Sequence, residues 1–183
     1  MDVIQLIKNL KTIPLGTLVS EEEVSGICNS LKVAEVPIIE VTLRDKKVRN
    51  ILKYFNDYPE IKLGVGTVRN IKDIDLAVES GASFIITPGF SSILSSYANQ
   101  KNILLIPGIQ TPSEIMQASE AGHKILKFFP AELSGGVDRI NAYKSVFRRR
   151  LPLHPRAPSW SSKLAGRTSA GVATPTGRTV GPQ

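Results

Sequence analysis

The sequence has few of the residues that form disulfides and metal sites. Its 183 residues include one cysteine, Cys28, and two histidines. A single thiol excludes an internal disulfide, which fits a reducing compartment. No Cys/His cluster has metal-ligand spacing, and neither G-x-G-x-x-G nor G-x-x-x-x-G-K-[ST] occurs. We therefore expect no metal and no cofactor. Cys28 fits a packing role on a helix, and His123 an exposed loop.

The sequence also lacks a long hydrophobic run. No stretch approaches the roughly 20 apolar residues that a membrane helix needs. The N-terminus, MDVIQLIKNLKTIPLG, carries an acidic second residue and lysines within its apolar run, unlike a signal peptide. We therefore expect a cytoplasmic protein that does not associate with membranes.

Acidic residues are missing from the last part of the chain. Residues 148–183 hold seven of the 23 Lys and Arg and no Asp or Glu, which leaves 16 basic residues to balance 16 acidic ones before them. The formal charge of +7 therefore belongs to this segment. Because it also lacks Ile, Phe and Tyr and has no hydrophobic period, it predicts a disordered, low-complexity basic tail.

The tail differs from residues 1–147 in codon preference as well. Its Arg, Pro, Ala and Gly have GC-rich codons, whereas the Ile, Lys and Asn of residues 1–147 have AT-rich codons. One hypothesis is a frameshift, a mis-called gene end or a chimeric join near Phe147, which sequencing of the locus would test. A nucleic-acid-binding tail is the functional alternative. It is less favoured, because Trp160 is the tail's one aromatic residue and so its one stacking surface.

Six short apolar runs in residues 1–147 predict buried parallel strands, since they are rich in β-branched residues and bounded by Gly or Pro. They occupy residues 12–19, 37–43, 61–68, 83–89, 103–109 and 125–130. Amphipathic helical patterns separate them, including one that starts at Ser20 and one with a Thr111–Glu114 capping box. This alternation predicts an α/β fold of (β/α)₈ TIM-barrel type with about six βα units present.

Four polar residues lie near or past the ends of these strands. In a barrel, catalytic residues project from the C-terminal ends of strands, and alternate residues of a strand share a face. On strand 61–68 this alternation places Thr67 with Leu63 and Val65. The four residues form the candidate site: Glu40, Arg44, Thr67 and Lys127.

Lys127 is the most informative of the four, because it lies inside the apolar run ILKFFP. Burial of an ammonium group favours the neutral amine, which attacks carbonyl carbon and forms Schiff bases. Glu40 could transfer protons during C–C cleavage, and Arg44 could bind a substrate carboxylate. The set describes a lysine-dependent aldolase acting on a 2-keto acid. The alternatives are a structural Lys127–Glu40 ion pair, an ordinary strand threonine at 67 and a solvated Arg44.

The motifs IIEVTLR, GVGTV, IITPG, LIPGI and KFFPAE, in this order, resemble the family of 2-keto-3-deoxy-6-phosphogluconate (KDPG) and 4-hydroxy-2-oxoglutarate (KHG) aldolases over about residues 5–147. The resemblance implies a class I aldolase on a (β/α)₈ barrel, usually a homotrimer. It implies cleavage of KDPG to pyruvate and glyceraldehyde 3-phosphate without a metal, with 4-hydroxy-2-oxoglutarate as a second substrate.

The resemblance also assigns residues. Lys127 matches the Schiff-base lysine and Glu40 the acid/base glutamate. Arg44 and Thr67 match residues that bind the pyruvate portion, and Pro88 and Phe129 match apolar groups that line the site.

The glycine-rich strands that bind phosphate in the family have no counterpart after Phe147. We therefore expect little or no turnover from this chain as written. A catalytically impaired fragment or pseudoenzyme remains the alternative.

Overall fold

The computed structural model describes residues 2–147, in which helices and strands alternate. The predicted tail, 148–183, lies outside the described residues. The α-helices are α1 (Val3–Leu10), α2 (Glu21–Val33), α3 (Val48–Ile51), α4 (Ile71–Glu79), α5 (Ser92–Gln100), α6 (Pro112–Glu120) and α7 (Gly136–Phe147), with 3₁₀ turns at Leu52–Asp57 and Glu132–Ser134. The strands are β1 (Leu15–Gly16), β2 (Ile38–Thr42), β3 (Lys62–Gly66), β4 (Phe84–Ile86), β5 (Leu104–Ile106), β6 (Gly108–Ile109) and β7 (Lys127–Phe128).

All strand pairs are parallel and follow chain order. Strands β1 to β5 form one sheet, and β6 pairs with β7. This is the order of consecutive units in a (β/α)₈ barrel, and it confirms the predicted fold class. Within residues 2–147, β1 and β7 each have one strand neighbour, so these residues do not close the barrel.

The predicted strand 103–109 is two strands, because Pro107 interrupts it. Proline has no N–H to donate to a sheet ladder. Hydrogen bonds from Thr87 N to Ile106 O (3.3 Å) and from Gly108 N to Thr87 O (3.0 Å) keep both pieces beside β4. The carbonyl of Pro107 accepts from the Lys127 backbone N–H at 2.9 Å. The proline thus breaks the strand while still supporting β7.

The two faces of the sheet bury different side chains. Towards the helices, β2, β3, β4 and β5 contribute the buried residues Ile39, Val41, Leu63, Val65, Ile85 and Leu105. The interior face carries Ile38, Phe84, Ile86 and Ile106, which pack against Leu6 and Ile7 of α1. Helix α1 was not predicted from the sequence; Asp2 caps its N-terminus, with Oδ1 accepting from Ile4 N at 3.4 Å.

Helix starts follow the predicted capping signals. Ser20 accepts from Glu23 N at 3.3 Å, and Thr111 and Glu114 form a capping box. No helix within residues 2–147 is long and apolar enough to cross a membrane.

Candidate active site

Two charged side chains meet on the interior face, although 87 residues separate them in the sequence. Lys127 Nζ lies 3.3 Å from Glu40 Oε1. Glu40 is 5% exposed, because it projects from the middle of β2 into the barrel. Lys127 comes from β7, and its side chain is 24% exposed. The structure therefore brings the two predicted catalytic residues together.

Glycines of β3 make room for this pair. Gly64 and Gly66 lie opposite Glu40 and Thr42 in the sheet register. A Cβ atom at Gly66 would collide with the Glu40 carboxylate, and one at Gly64 would collide with the ring of Phe84. The G-x-G of this strand therefore allows close packing beneath the site.

Phe129 covers the other side of the lysine. Lys127 Nζ lies 5.4 Å from the centroid of the Phe129 ring, which is within the range of a cation–π contact. Phe129 is 37% exposed, so the ring forms an apolar wall that solvent still reaches.

Thr67 follows directly after Gly66 and has a left-handed backbone, with φ of 61°. For a β-branched residue this conformation costs about 1–3 kcal/mol. The strand alternation that grouped Thr67 with Leu63 and Val65 does not place its side chain in the site. Those two side chains pack towards the helices, and a left-handed residue ends the alternation on which the prediction rested.

A buried carboxylate fixes the turn after Thr67. Asp73 is 1% exposed, and its Oδ1 accepts from Arg49 Nη2 at 2.6 Å. Its Oδ2 accepts from Arg69 N at 3.0 Å and from Asn70 Nδ2 at 3.2 Å. Asp73 at the start of α4 therefore holds Arg69 and Asn70 of the turn and is itself paired with Arg49 of α3.

Arg44 and Pro88 lie beyond the C-terminal ends of β2 and β4, and both are exposed. Arg44 forms no ion pair with another of the described residues. The two residues therefore lie at the C-terminal end of the sheet, and no contact among the described residues fixes either of them on the Glu40–Lys127 pair.

His123 is not the exposed loop residue that the sequence predicts. It is half-buried, its Nδ1 lies 3.1 Å from Leu105 O, and its Nε2 lies 2.8 Å from Ser95 Oγ. Since a carbonyl can only accept, Nδ1 carries the proton and Ser95 donates to Nε2. Burial lowers the pKa of the imidazole. No sequence pattern indicates this contact, because Ser95 lies 28 residues away on α5.

His123 also lines a cavity of about 560 Å³ beside α6 and the end of α7. None of the predicted site residues lines this cavity, so it is separate from the Glu40–Lys127 pair. Within residues 2–147, no group of three or more His, Cys, Asp or Glu side chains is arranged to hold a metal ion.

The family model for KDPG and KHG aldolases matches residues 3–155. The chain belongs to this family. Among curated relatives, the 2-dehydro-3-deoxy-phosphogluconate aldolase of Pseudoalteromonas atlantica is 35% identical over 136 residues, which are 74% of this chain and 63% of the relative. The KHG/KDPG aldolase of Escherichia coli K12 is 37% identical over 136 residues, 74% of this chain and 64% of the relative. The chain thus spans a little under two thirds of the length of these KDPG and KHG aldolases.

Solved structures of KDPG aldolases share the fold. The Zymomonas mobilis ZM4 enzyme, whose structure was determined with 3-phosphoglycerate, superposes with a TM-score of 0.72 at 30% identity. The superposition covers 77% of this chain and 67% of the Zymomonas mobilis chain. The Legionella pneumophila enzyme superposes with a TM-score of 0.73 at 28% identity, over 86% and 76% of the two chains. Its structure holds pyruvate captured as a covalent carbinolamine intermediate.

Proposed function

We propose that the protein is a Schiff-base aldolase that cleaves KDPG to pyruvate and glyceraldehyde 3-phosphate. The observation that carries this proposal is the Lys127–Glu40 pair, 3.3 Å apart on the interior face of a KDPG/KHG aldolase barrel. A lysine can act as a nucleophile and a buried carboxylate as a proton carrier, and a carbonyl carbon bound to Lys127 Nζ would lie beside Glu40.

The reaction follows from the chemistry of the two groups. The neutral amine of Lys127 attacks the C2 carbonyl and forms a carbinolamine. Glu40, once protonated, gives its proton to the C2 hydroxyl, which leaves as water and yields an iminium ion. The C3–C4 bond then breaks as Glu40 removes the proton of the C4 hydroxyl. The bonding electrons pass into the iminium, glyceraldehyde 3-phosphate departs, and a pyruvate enamine remains. Protonation at C3 and hydrolysis release pyruvate.

The other predicted residues bind and enclose the keto acid. Arg44 and the Thr67 hydroxyl would bind its carboxylate, since a guanidinium and a hydroxyl both donate hydrogen bonds to one. Pro88 and Phe129 would line the apolar side. The pyruvate carbinolamine of the Legionella pneumophila relative supports this substrate class.

The remaining parts of the proposal come from the family. KHG/KDPG aldolase is the name of the Escherichia coli relative, so 4-hydroxy-2-oxoglutarate is the second substrate that we propose. Within the same proposal, the protein acts in the cytoplasm as a homotrimer and needs no cofactor. Sedimentation velocity of the purified chain checks the trimer.

Borohydride trapping tests the central step. Purified protein is mixed with pyruvate and sodium borohydride, digested and analysed by mass spectrometry. We expect one reduced adduct, on Lys127, and none in Lys127→Arg, which keeps a positive charge beside Glu40 but has no nucleophilic amine. Lys124→Arg is the matched control, because Lys124 is an exposed lysine three residues away. Its adduct should equal that of the unchanged protein.

The same purified protein distinguishes the proposed aldolase from the two alternative functions. Absence of an adduct on Lys127 would favour the impaired fragment or pseudoenzyme. Turnover of KDPG, measured as pyruvate release, checks the sequence prediction of low activity. A salt-dependent shift of a DNA or RNA probe would favour the basic-tailed nucleic-acid-binding protein, an alternative that the family comparisons do not favour.

A further inference from the structure

One buried hydroxyl on β2 has no partner among residues 2–147. Thr42 is the last residue of β2 and is 1% exposed, and its Oγ1 makes no hydrogen bond within the described residues. A buried hydroxyl without a partner destabilises the folded state, and valine would fill the same space without that penalty. Packing alone therefore does not explain why threonine occupies this position.

The position of Thr42 suggests that reason. Residues two apart on a strand share a face, so Thr42 projects to the same side of β2 as Glu40. Thr42 pairs with Gly66 in the sheet register, and the Glu40 carboxylate lies against that same glycine. The carboxylate therefore leans along the strand towards Thr42, and the two polar groups share one neighbour.

The carboxylate has capacity for another donor. Within the described part of the chain, the Glu40 side chain accepts one hydrogen bond, from Lys127 Nζ to Oε1, whereas a carboxylate offers about four acceptor sites. Carbinolamine formation joins the lysine nitrogen to carbon and leaves it a single N–H. Glu40 therefore has fewer hydrogens available from Lys127 at the step in which it delivers a proton.

We propose that Thr42 is a positioning residue whose hydroxyl donates a hydrogen bond to the Glu40 carboxylate when Lys127 carries the substrate. This inference rests on the proposed roles of Glu40 and Lys127. The hydroxyl would hold the carboxylate in the rotamer that faces the C2 hydroxyl while Lys127 is engaged in the covalent bond.

The test compares Thr42→Val and Thr42→Ser with the unchanged protein. The rate of adduct formation with pyruvate is measured by borohydride quenching across pH. Because a hydrogen bond to a charged group contributes about 1.5–3 kcal/mol, we expect Thr42→Val to react at least about tenfold more slowly. Because Glu40 delivers a proton in this step, its titration sets the alkaline limb of the pH–rate profile, and loss of a donor that favours the charged carboxylate should move that limb to higher pH. Thr42→Ser should keep the profile and react within about threefold of the unchanged protein.

Thermal unfolding supplies the matched control. Thr42→Val should unfold at the same temperature or higher, because it removes an unpartnered hydroxyl. Thr87 is also 1% exposed, but its Oγ1 donates to Gly89 O at 2.8 Å. Thr87→Val should therefore lower the unfolding temperature. The difference between the two valine variants distinguishes a hydroxyl that stabilises the fold from one that does not.

The possible outcomes distinguish a failure of the proposed function from a failure of the Thr42 role. If the unchanged protein forms no adduct, the proposed function fails and the role of Thr42 falls with it. If it reacts and Thr42→Val matches its rate and profile, the Thr42 role alone is wrong. Equal slowing in both Thr42 variants without a shift of the profile would show a packing effect and would also overturn the inference.

Discussion

At the scale of single residues, glycine determines how much room the Glu40–Lys127 pair has. The Glu40 carboxylate occupies the space that a side chain at Gly66 would need. This contact depends on one hydrogen atom standing where every other amino acid has a carbon. A larger residue at position 66 should therefore change the rate at which Lys127 reacts.

Gly66→Ala should push the Glu40 carboxylate away from Lys127. We expect a stability loss of about 1–3 kcal/mol, measured by urea unfolding. We also expect the adduct with pyruvate to form about tenfold more slowly or slower still, measured by borohydride quenching. Gly26→Ala is the control, because no atom lies within 4 Å of a Cβ at that position in α2. It should stabilise the protein by about 0.5–1 kcal/mol. A Gly66→Ala protein with normal stability and adduct rate would show that the site relaxes freely.

His123 should make stability depend on pH. Burial lowers the pKa of its imidazole, so the folded state binds the proton less readily than the unfolded state, in which a histidine titrates near 6.5. The free energy of unfolding should therefore fall as pH drops through about 6.5 towards the lower folded pKa. Urea unfolding between pH 5 and pH 8 measures this.

Two substitutions isolate that effect. His123→Asn should show less loss of stability over this pH range, although its stability at pH 8 is lower because the hydrogen bonds to Ser95 and Leu105 are changed. Ser95→Ala keeps the buried ring and should keep the pH dependence. His154 is present in every variant, so its contribution cancels. The same pH dependence in His123→Asn would assign it to another group.

At the scale of elements, the turn between β3 and α4 is fixed by Asp73. Asp73→Asn should weaken the bond to Arg49 and reduce the acceptor capacity for the Arg69 and Asn70 donors. We expect a loss of about 2 kcal/mol, below the usual value for a broken buried pair because Arg49 is 38% exposed. Thermal and urea unfolding measure the change.

Asp75 provides a matched comparison on the same helix. It pairs with Lys101 Nζ at 3.0 Å and accepts from Tyr97 Oη at 2.8 Å, but its side chain is 34% exposed. Asp75→Asn should therefore cost clearly less stability than Asp73→Asn. Equal losses for the two substitutions would mean that burial does not strengthen the Asp73 cluster.

Sequence patterns predicted the elements better than they predicted the geometry between them. A lysine and a glutamate inside apolar runs indicated the Glu40–Lys127 pair as a candidate site, because buried charges are rare without a function or a partner. The face of Thr67 could not be predicted, since its left-handed backbone ends the strand alternation on which such a prediction rests. Helix α1 and the His123–Ser95 contact were missed for a related reason. Their stability comes from packing with residues distant in the sequence, which local patterns do not show.

At the scale of the whole molecule, the sole cysteine reports on folding. Cys28 is fully buried in the layer between helices and sheet, and burial raises the pKa of its thiol to about 11. Because the thiolate is the reactive form, we expect negligible reaction with a thiol reagent in the folded protein at pH 8. In urea the reaction should be fast and stoichiometric. A folded protein that reacts at the unfolded rate would show that the helix layer opens readily.

The distance along the chain between Glu40 and Lys127 has a consequence for biosynthesis. Glu40 leaves the ribosome 87 residues before Lys127, and contacts of such long sequence separation form late in folding. The pair can therefore assemble only after the intervening strands have joined the sheet. Reactivity of Lys127 towards pyruvate during synthesis would mark the completion of the sheet, and a nascent chain that ends before β7 would have no reactive lysine at this site.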